Sequence, residues 1–214
     1  MNKIIYTKYL PLNFKKQTMD LSELLNSSMG QSIIKSVAGQ FGLDESQATA
    51  AVSTAVPVIL GGLNKNAQTT EGAESLNNAL ESKHDGSLLD NLGSILSGGN
   101  VGDLLQDGGS ILGHVFGDKV SNVENGVAEK TGISANKIGP IISMLAPIVM
   151  AYLGKQKSTN NVNAGGLGDL LGGLLGGGST QSSGGGLMGM VTGMLDQDKD
   201  GSAIDDIIGM FTKK

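Results

Sequence analysis

The chain has 214 residues, of which 34 are glycine and only 3% are aromatic, so its core must be built from small and aliphatic side chains, which favours close-packed helices. It contains no cysteine and two histidines, His84 and His114, which excludes disulfides and a zinc site built from Cys and His. The net charge is −5; residues 1–18 are basic, and the remaining residues hold 20 acids and 11 bases, a net −9 that should repel nucleic acid rather than bind it.

The basic start, MNKIIYTKYLPLNFKKQT, does not have the pattern of a secretory signal, because it lacks a continuous apolar run and a small-residue cleavage site. With no signal peptide and no convincing transmembrane segment, we expect a cytoplasmic protein. Two interpretations of residues 1–18 stay open. They form either a disordered N-terminal arm or a non-native extension before a translation start at Met19, which a clean helix start follows.

Residues 20–42 carry the first helical pattern. Asp20 and Glu23 have the spacing of a capping box, and apolar residues follow at helical intervals. The segment predicts two short helices, broken near Gly30 and stopped at Gly42.

The next segment predicts one long helix. Asp44 and Gln47 form a second cap signal. The apolar stripe behind it consists of Ala48, Val52, Ala55, Val56, Ile59 and Leu63. Pro57 lies inside this stripe and predicts a kink, because proline cannot donate a hydrogen bond to the carbonyl of Ser53.

The middle of the chain predicts further helices. TEGAESLNNALESKHDG has the composition of a polar surface helix, and Ser87 and Asp90 again have capping-box spacing. Repeated glycines divide residues 87–132 into short helices. The sequence contains no strand-like alternation, so the fold class is all-α.

The pattern of the long helix returns 90 residues later, in GISANKIGPIISMLAPIVMAYLGK. The shift pairs Gly42 with Gly132, Ser53 with Ser143, Pro57 with Pro147, Leu63 with Leu153 and Lys65 with Lys155. A Ser-x-x-x-Pro kink repeated in register predicts an internal duplication, each copy a helix-turn-helix ending in a proline-kinked core helix. We therefore predict a multihelical array.

The composition changes after Lys157. Residues 157–186 are rich in Gly, Ser and Asn and predict a flexible linker, in which LGDLLGGLL could form a transient amphipathic turn. Residues 187–214 recover helical periodicity on both sides of an Asp-rich loop. We therefore expect a helical domain at 19–156, a linker, and a C-terminal helix-loop-helix module.

The order of these features resembles the YidB-like family, a bacterial family classed as domain of unknown function 937. The resembling segments are MDLSELLNSSMGQSIIKSVAGQFGLDESQATAAVSTAVPVILGGL, GGSILGHVFG, GPIISMLAPIVMAYLG and LDQDKDGSAIDDIIGM. They cover residues 19–156 and the tail, and leave residues 1–18 outside. The resemblance implies an all-helical bacterial protein, and it implies no activity, because no reaction, substrate or cofactor is established for the family.

The Asp-rich loop DQDKDGSAIDD is the candidate metal site, and the metal would be calcium. Asp196, Asp198, Asp200, Gly201 and Ser202 fill positions 1, 3, 5, 6 and 7 of an EF-hand loop. Position 12 is Ile207, which cannot ligate, so Asp205 or Asp206 would have to close a shortened loop. The alternative is a helix cap, since Ser202 and Asp205 also have capping-box spacing.

The two proline-containing helices are nearly long enough to span a membrane. Between Glu45 and Lys65 lie 19 uncharged residues, and between Lys137 and Lys155 lie 17, against about 20 needed. Two buried helices packed as a pseudo-symmetric core explain the stripes and shared prolines better, so we do not expect membrane association.

Catalytic motifs are lacking in the sequence. The glycine-rich run does not end in the Gly-Lys-Ser/Thr of a phosphate-binding loop and follows no strand. His114 stands alone among apolar neighbours, which is typical of a structural histidine. We therefore expect no enzyme activity.

Two functional hypotheses remain. The leading one is a non-enzymatic interaction or scaffolding protein, with a protein partner or self-association and a calcium-binding C-terminal loop. The alternative is a small-ligand or lipid binder with a pocket between the two kinked helices.

Overall fold

The computed structural model describes residues 25–98 and 101–175, where every regular element is helical and no strand occurs. In chain order the α-helices are α1 (Ser28–Phe41), α2 (Glu45–Ala67), α3 (Thr70–Ser82), α4 (Ser87–Asp90), α5 (Leu92–Gly98), α6 (Val101–Phe116), α7 (Val120–Thr131), α8 (Ala135–Asn160) and α9 (Leu167–Leu174). Two 3-10 turns, Gly117–Lys119 and Ala164–Gly166, precede α7 and α9. The all-α multihelical fold expected from the sequence is confirmed.

Helix α8 is the centre of the fold. From Ile141 to Gly154, every residue except Ser143 is buried. A helix that is apolar on all sides is stable only when other elements surround it. Helices α2, α6 and α7 supply most of that cover, and α1, α3 and α4 add to it.

The local signals at the start of the fold are mostly confirmed. The N–H of Gln47 donates to Oδ1 of Asp44 at 2.8 Å, and the N–H of Asp44 donates back to Oε1 of Gln47 at 3.2 Å, which is the predicted capping box. The break predicted near Gly30 lies instead at Ser27, whose hydroxyl accepts a hydrogen bond from the Gly30 N–H at 3.1 Å. A serine cap starts α1 there, and Gly30 lies inside its first turn.

The helix boundaries keep the 90-residue offset noted in the sequence. Helices α2 and α8 begin at Glu45 and Ala135, and each contains a buried proline, Pro57 or Pro147. Helices α1 and α7 both end at a left-handed glycine, Gly42 or Gly132, whose N–H donates to the carbonyl of Ala38 or Ala128. Internal duplication as the origin of this correspondence stays a prediction.

The capping box predicted at Ser87 and Asp90 is wrong. Helix α4 begins after Gly86, which has φ of 106° and supplies no side-chain cap. The N–H of Ser87 donates instead to Oδ1 of Asp85 at 2.9 Å. An aspartate side chain that accepts a hydrogen bond from the N–H two residues later forms an Asx turn, and this turn is present here in place of the capping box.

Helical structure continues into the segment predicted as a linker, residues 157–186. Helix α8 extends to Asn160, and α9 follows after a short turn. In α9 the side chains of Leu167 and Leu171 are fully buried, because leucines at i, i+4 and i+7 form a stripe that packs on α2 and α3. The sequence indicated only a transient amphipathic turn in this segment, and the structure shows a helix.

Helices α2 and α8 are long and apolar enough to cross a membrane by length and composition alone. Their most apolar windows have mean hydropathies of 1.3 and 1.5, and 56% and 83% of those windows are buried inside the fold. Core helices pass the same test, and the burial of α8 matches the core role expected from the sequence.

Several predictions lie outside the described residues. The extension 1–18 and the cap at Asp20 and Glu23 precede residue 25, and the module 187–214 follows residue 175. The candidate calcium ligands, Asp196, Asp198, Asp200, Ser202, Asp205 and Asp206, all belong to that module.

Candidate functional site

A groove of about 440 Å³ lies between α3 and α6, and we call it the α3–α6 groove. Helix α2 contributes Leu63 and Asn66, and α8 contributes Met150. The α3 side consists of Gly72, Ser75, Leu76, Ala79, Lys83 and His84, and the α6 side of Asp107, Ser110, Ile111, His114 and Val115.

The groove exists because α3 and α6 pack on α2 and α8 rather than on each other. Polar contacts bridge the two sides at both ends. At one end Lys83 forms an ion pair with Asp107, and at the other the Asn66 side-chain amide donates to the Val115 carbonyl at 3.1 Å. Asn66 precedes α3 and Lys83 follows it, so α3 and α6 run antiparallel.

Each wall is one face of a helix, because its lining residues recur every three or four positions. The base of the groove is apolar and buried, and includes Leu63, Leu76 and Ile111. The rim is polar and exposed, and includes Ser75 and Ser110. An apolar base with a polar rim suits ligands that have one apolar face.

His84 is the buried polar residue of the groove, with only 4% of its surface exposed. Its Nε2 lies 3.8 Å from Oδ2 of Asp107, and its Nδ1 has no hydrogen-bond partner among the described residues. Burial lowers the pKa of His84 below its ordinary value of 6.5, because it disfavours the charged imidazolium, and the carboxylate of Asp107 opposes this only in part. The imidazole is therefore neutral near pH 7.

The backbone around His84 is held tightly against α8. A methyl group on Gly154 would stand 1.8 Å from the His84 carbonyl oxygen, so only glycine fits there. The His84 N–H donates to the carbonyl of Ala79 at 3.1 Å. Close by, Lys157 of α8 pairs with Glu81 at 2.7 Å, and this hydrogen bond lowers the pKa of the Glu81 carboxyl.

His114 lies on the exposed rim of the same groove. Its Nδ1 is 2.8 Å from the Ser110 carbonyl oxygen, one turn earlier in α6, so Nδ1 carries the hydrogen and donates. In the neutral ring, Nε2 is then left as an acceptor. The sequence indicated a structural histidine here, and the structure adds that its ring lines the groove.

The sequence did not single out His84, although a signal was present. Leu76, Leu80 and His84 are spaced by four residues, so His84 extends the buried stripe of α3 by one turn. The polar composition of α3 predicted a surface helix and gave no sign that one of its faces is buried. Only the packing of α6 across from α3 brings His84 and Asp107 together.

A second pocket lies between the two proline-containing helices. Its lining includes Val52, Val56 and Leu60 of α2, with Leu145 and Val149 of α8, and its volume is only about 30 Å³. Small-molecule sites usually measure about 300–1,000 Å³, so this pocket is the size of a packing defect.

The described residues contain no group of three or more His, Asp or Glu that could hold a metal ion. His84 and Asp107 are neighbours, but His114 is held by its own helix. The α3–α6 groove therefore offers apolar contact and hydrogen bonding.

Residues 23–156 match the sequence model of a family described as bacterial proteins of unknown function, domain of unknown function 937. The match covers more than half of the chain. The chain belongs to this family. The domain of unknown function 937 includes α1 to α7 and most of α8, so it contains the whole α3–α6 groove. Among curated proteins and among solved structures, none matches the chain.

Proposed function

We propose that this protein is a non-enzymatic interaction protein that binds the apolar face of an amphipathic segment in the α3–α6 groove. The groove itself carries the proposal: two antiparallel helices flank about 440 Å³ of space above an apolar base. Amphipathic helices commonly bind in such grooves and insert side chains at i, i+3, i+4 and i+7.

The polar groups of the groove support binding rather than catalysis. Asp107 is paired with Lys83, and His84 contacts the same carboxylate at 3.8 Å. A general base must be able to reach the proton that it abstracts, and His84 is buried beneath the rim. Lys83, His84 and Asp107 would orient a bound segment and disfavour ligands that lack matching polar groups.

A small ligand or lipid is the second candidate occupant. The hypothesis placed it between the kinked helices, but the pocket there holds only about 30 Å³. The α3–α6 groove has more than ten times that volume, so we propose it as the ligand site in this alternative as well.

The acidic balance of the chain supports a partner other than nucleic acid, because residues 19–214 carry a net charge of −9. The burial of α8 supports a protein that does not insert into membranes. A cytoplasmic location completes this part of the proposal.

Binding of an apolar probe tests the groove. N-phenylnaphthylamine, an uncharged dye that fluoresces in apolar sites, should bind the full chain saturably. Ser75→Trp should abolish saturable binding by filling the groove, whereas Ser82→Trp should retain it. Both serines are exposed on α3, but only Ser75 lines the groove. Circular dichroism checks that both variants are folded, and equal dye binding by the two would refute the proposal.

We also propose that the Asp-rich loop binds calcium. The support is the spacing of Asp196, Asp198 and Asp200 before Gly201, with Asp205 or Asp206 as the closing ligand. Calorimetric titration of the full chain with calcium should show one weak site. The double change Asp196→Ala and Asp200→Ala should remove it, and Asp103→Ala on α6 should not. No heat from the unaltered chain would rule the site out.

A further inference from the structure

The two ends of the α3–α6 groove limit what can fill it. The Lys83–Asp107 pair and the Asn66–Val115 hydrogen bond close the groove at both ends of α3. The 13-residue α3 spans about 20 Å at 1.5 Å per residue. A helical occupant must therefore be short, at most about three to four turns, with an apolar face toward the base.

One segment of this chain outside the described residues has that pattern. Residues 187–195 read LMGMVTGML, and six of these nine residues are apolar. Residues 187, 188, 191, 194 and 195 have the i, i+4 and i+7 spacing of one helix face, and Met190 lies beside it. Three of the nine residues are methionines, whose flexible side chains fit irregular apolar surfaces. Nine residues form about two and a half turns, or about 14 Å, which fits between the two closed ends of the groove.

The attachment point brings this segment within reach. Helix α9 begins beside the end of α2, where a methyl on Gly168 would lie 4.0 Å from the Ala67 carbonyl oxygen. Ala67 is adjacent to Asn66, which closes one end of the groove. Helix α9 is about 12 Å long, and residues 176–186 can extend over about 36 Å, so the chain can return from Leu175 to the groove.

We infer that residues 187–195 of the same chain fold as a helix into the α3–α6 groove and so block its access to partners. This inference rests on the proposed function. A tether of this length holds the segment at an effective concentration of about 1 mM, so even weak contacts keep the groove filled. A partner must displace the tail, which makes the C-terminal module an autoinhibitory element.

Two tail substitutions in the full chain test the inference with the same dye. Val191→Lys places a charge on the apolar face and should release the tail, so that N-phenylnaphthylamine binds about tenfold more tightly than to the unaltered protein. Thr192→Lys adds the same charge about 100° around the helix from Val191, outside the apolar face, and should leave the dye affinity unchanged. Adding Ser75→Trp to Val191→Lys should abolish binding and locate the gained affinity in the groove.

The outcomes separate the two proposals. If the unaltered protein and Val191→Lys bind the dye equally and Ser75→Trp abolishes both, the groove binds but the tail does not fill it, which overturns the inference. If no variant shows binding sensitive to Ser75→Trp, the proposed function itself fails. If Val191→Lys gains affinity while light scattering shows that it turns a dimer into a monomer, the occupant is the tail of a second copy, and the inference is also overturned.

Discussion

At the residue scale, His84 shows how this fold uses a polar side chain inside an apolar wall. Its ring is buried beside Asp107, and its pKa is lowered because burial disfavours the charged form. Asp107 raises this pKa, as does Asp85, the next residue in the chain, while Lys83 lowers it further. Neutral imidazole is therefore the form that the folded protein stabilises.

A pH dependence of stability follows from this shift. The pKa of His84 is below 6.5 in the folded protein and about 6.5 in the unfolded chain. At pH values between these two pKa values, the unfolded state binds more protons than the folded state. The contribution of His84 to folding stability is therefore complete above about pH 6.5 and is lost as the pH falls. Urea unfolding at pH 7.5, 6.5 and 5.5 should show this loss. His84→Leu should remove this component of the pH dependence, and His114→Leu, which changes the exposed histidine, should retain it. Equal slopes for His84→Leu and the unaltered protein would contradict the assignment.

At the scale of elements, the contact between α6 and α8 depends on a glycine and a proline. Pro147 cannot donate to the carbonyl four residues before it, that of Ser143. Gly108 of α6 lies against that carbonyl, and a methyl group there would stand 1.6 Å from its oxygen. The backbones of α6 and α8 therefore meet at the Ser143 carbonyl, which receives no hydrogen bond from Pro147. Only glycine at position 108 allows the two backbones to come this close.

Alanine substitutions at two adjacent glycines test this contact. Gly108→Ala should destabilise the protein by about 1–3 kcal/mol, because the added methyl forces α6 and α8 apart. Gly109→Ala meets nothing within 4 Å and should be neutral or stabilise by up to about 1 kcal/mol, as alanine favours a helix. Thermal unfolding should thus shift in opposite directions, and a similar shift for both variants would contradict the packing described.

The sequence predicts the helices better than their relative positions. Caps and apolar stripes locate α2 and α8 because those signals are local, as at Asp44 and Pro57. The sequence indicated only a transient turn at α9, because three glycines among its eight residues weaken the helical signal of its leucines. The α3–α6 groove could not be predicted, because its width depends on how α3 and α6 pack on α8, and no local pattern encodes that distance.

At the scale of the whole molecule, the described residues form a set of helices around α8, with a groove between α3 and α6. The family match includes that groove and ends near the C-terminus of α8. The chain then adds α9 and 39 further residues, among them the apolar tail segment and the Asp-rich loop. Under our proposal, the family domain binds the partner and this C-terminal module controls access to the groove.

The imidazole NMR spectrum tests the central claim, binding in the α3–α6 groove, most directly. The chain has two histidines, and both line the groove, so His84 and His114 report on it without interference. Titration of the full chain with N-phenylnaphthylamine should shift the ring ¹⁵N signals of both with one shared affinity, and Ser75→Trp should abolish the shifts. Saturable dye binding that leaves both histidine signals unmoved would contradict the claim.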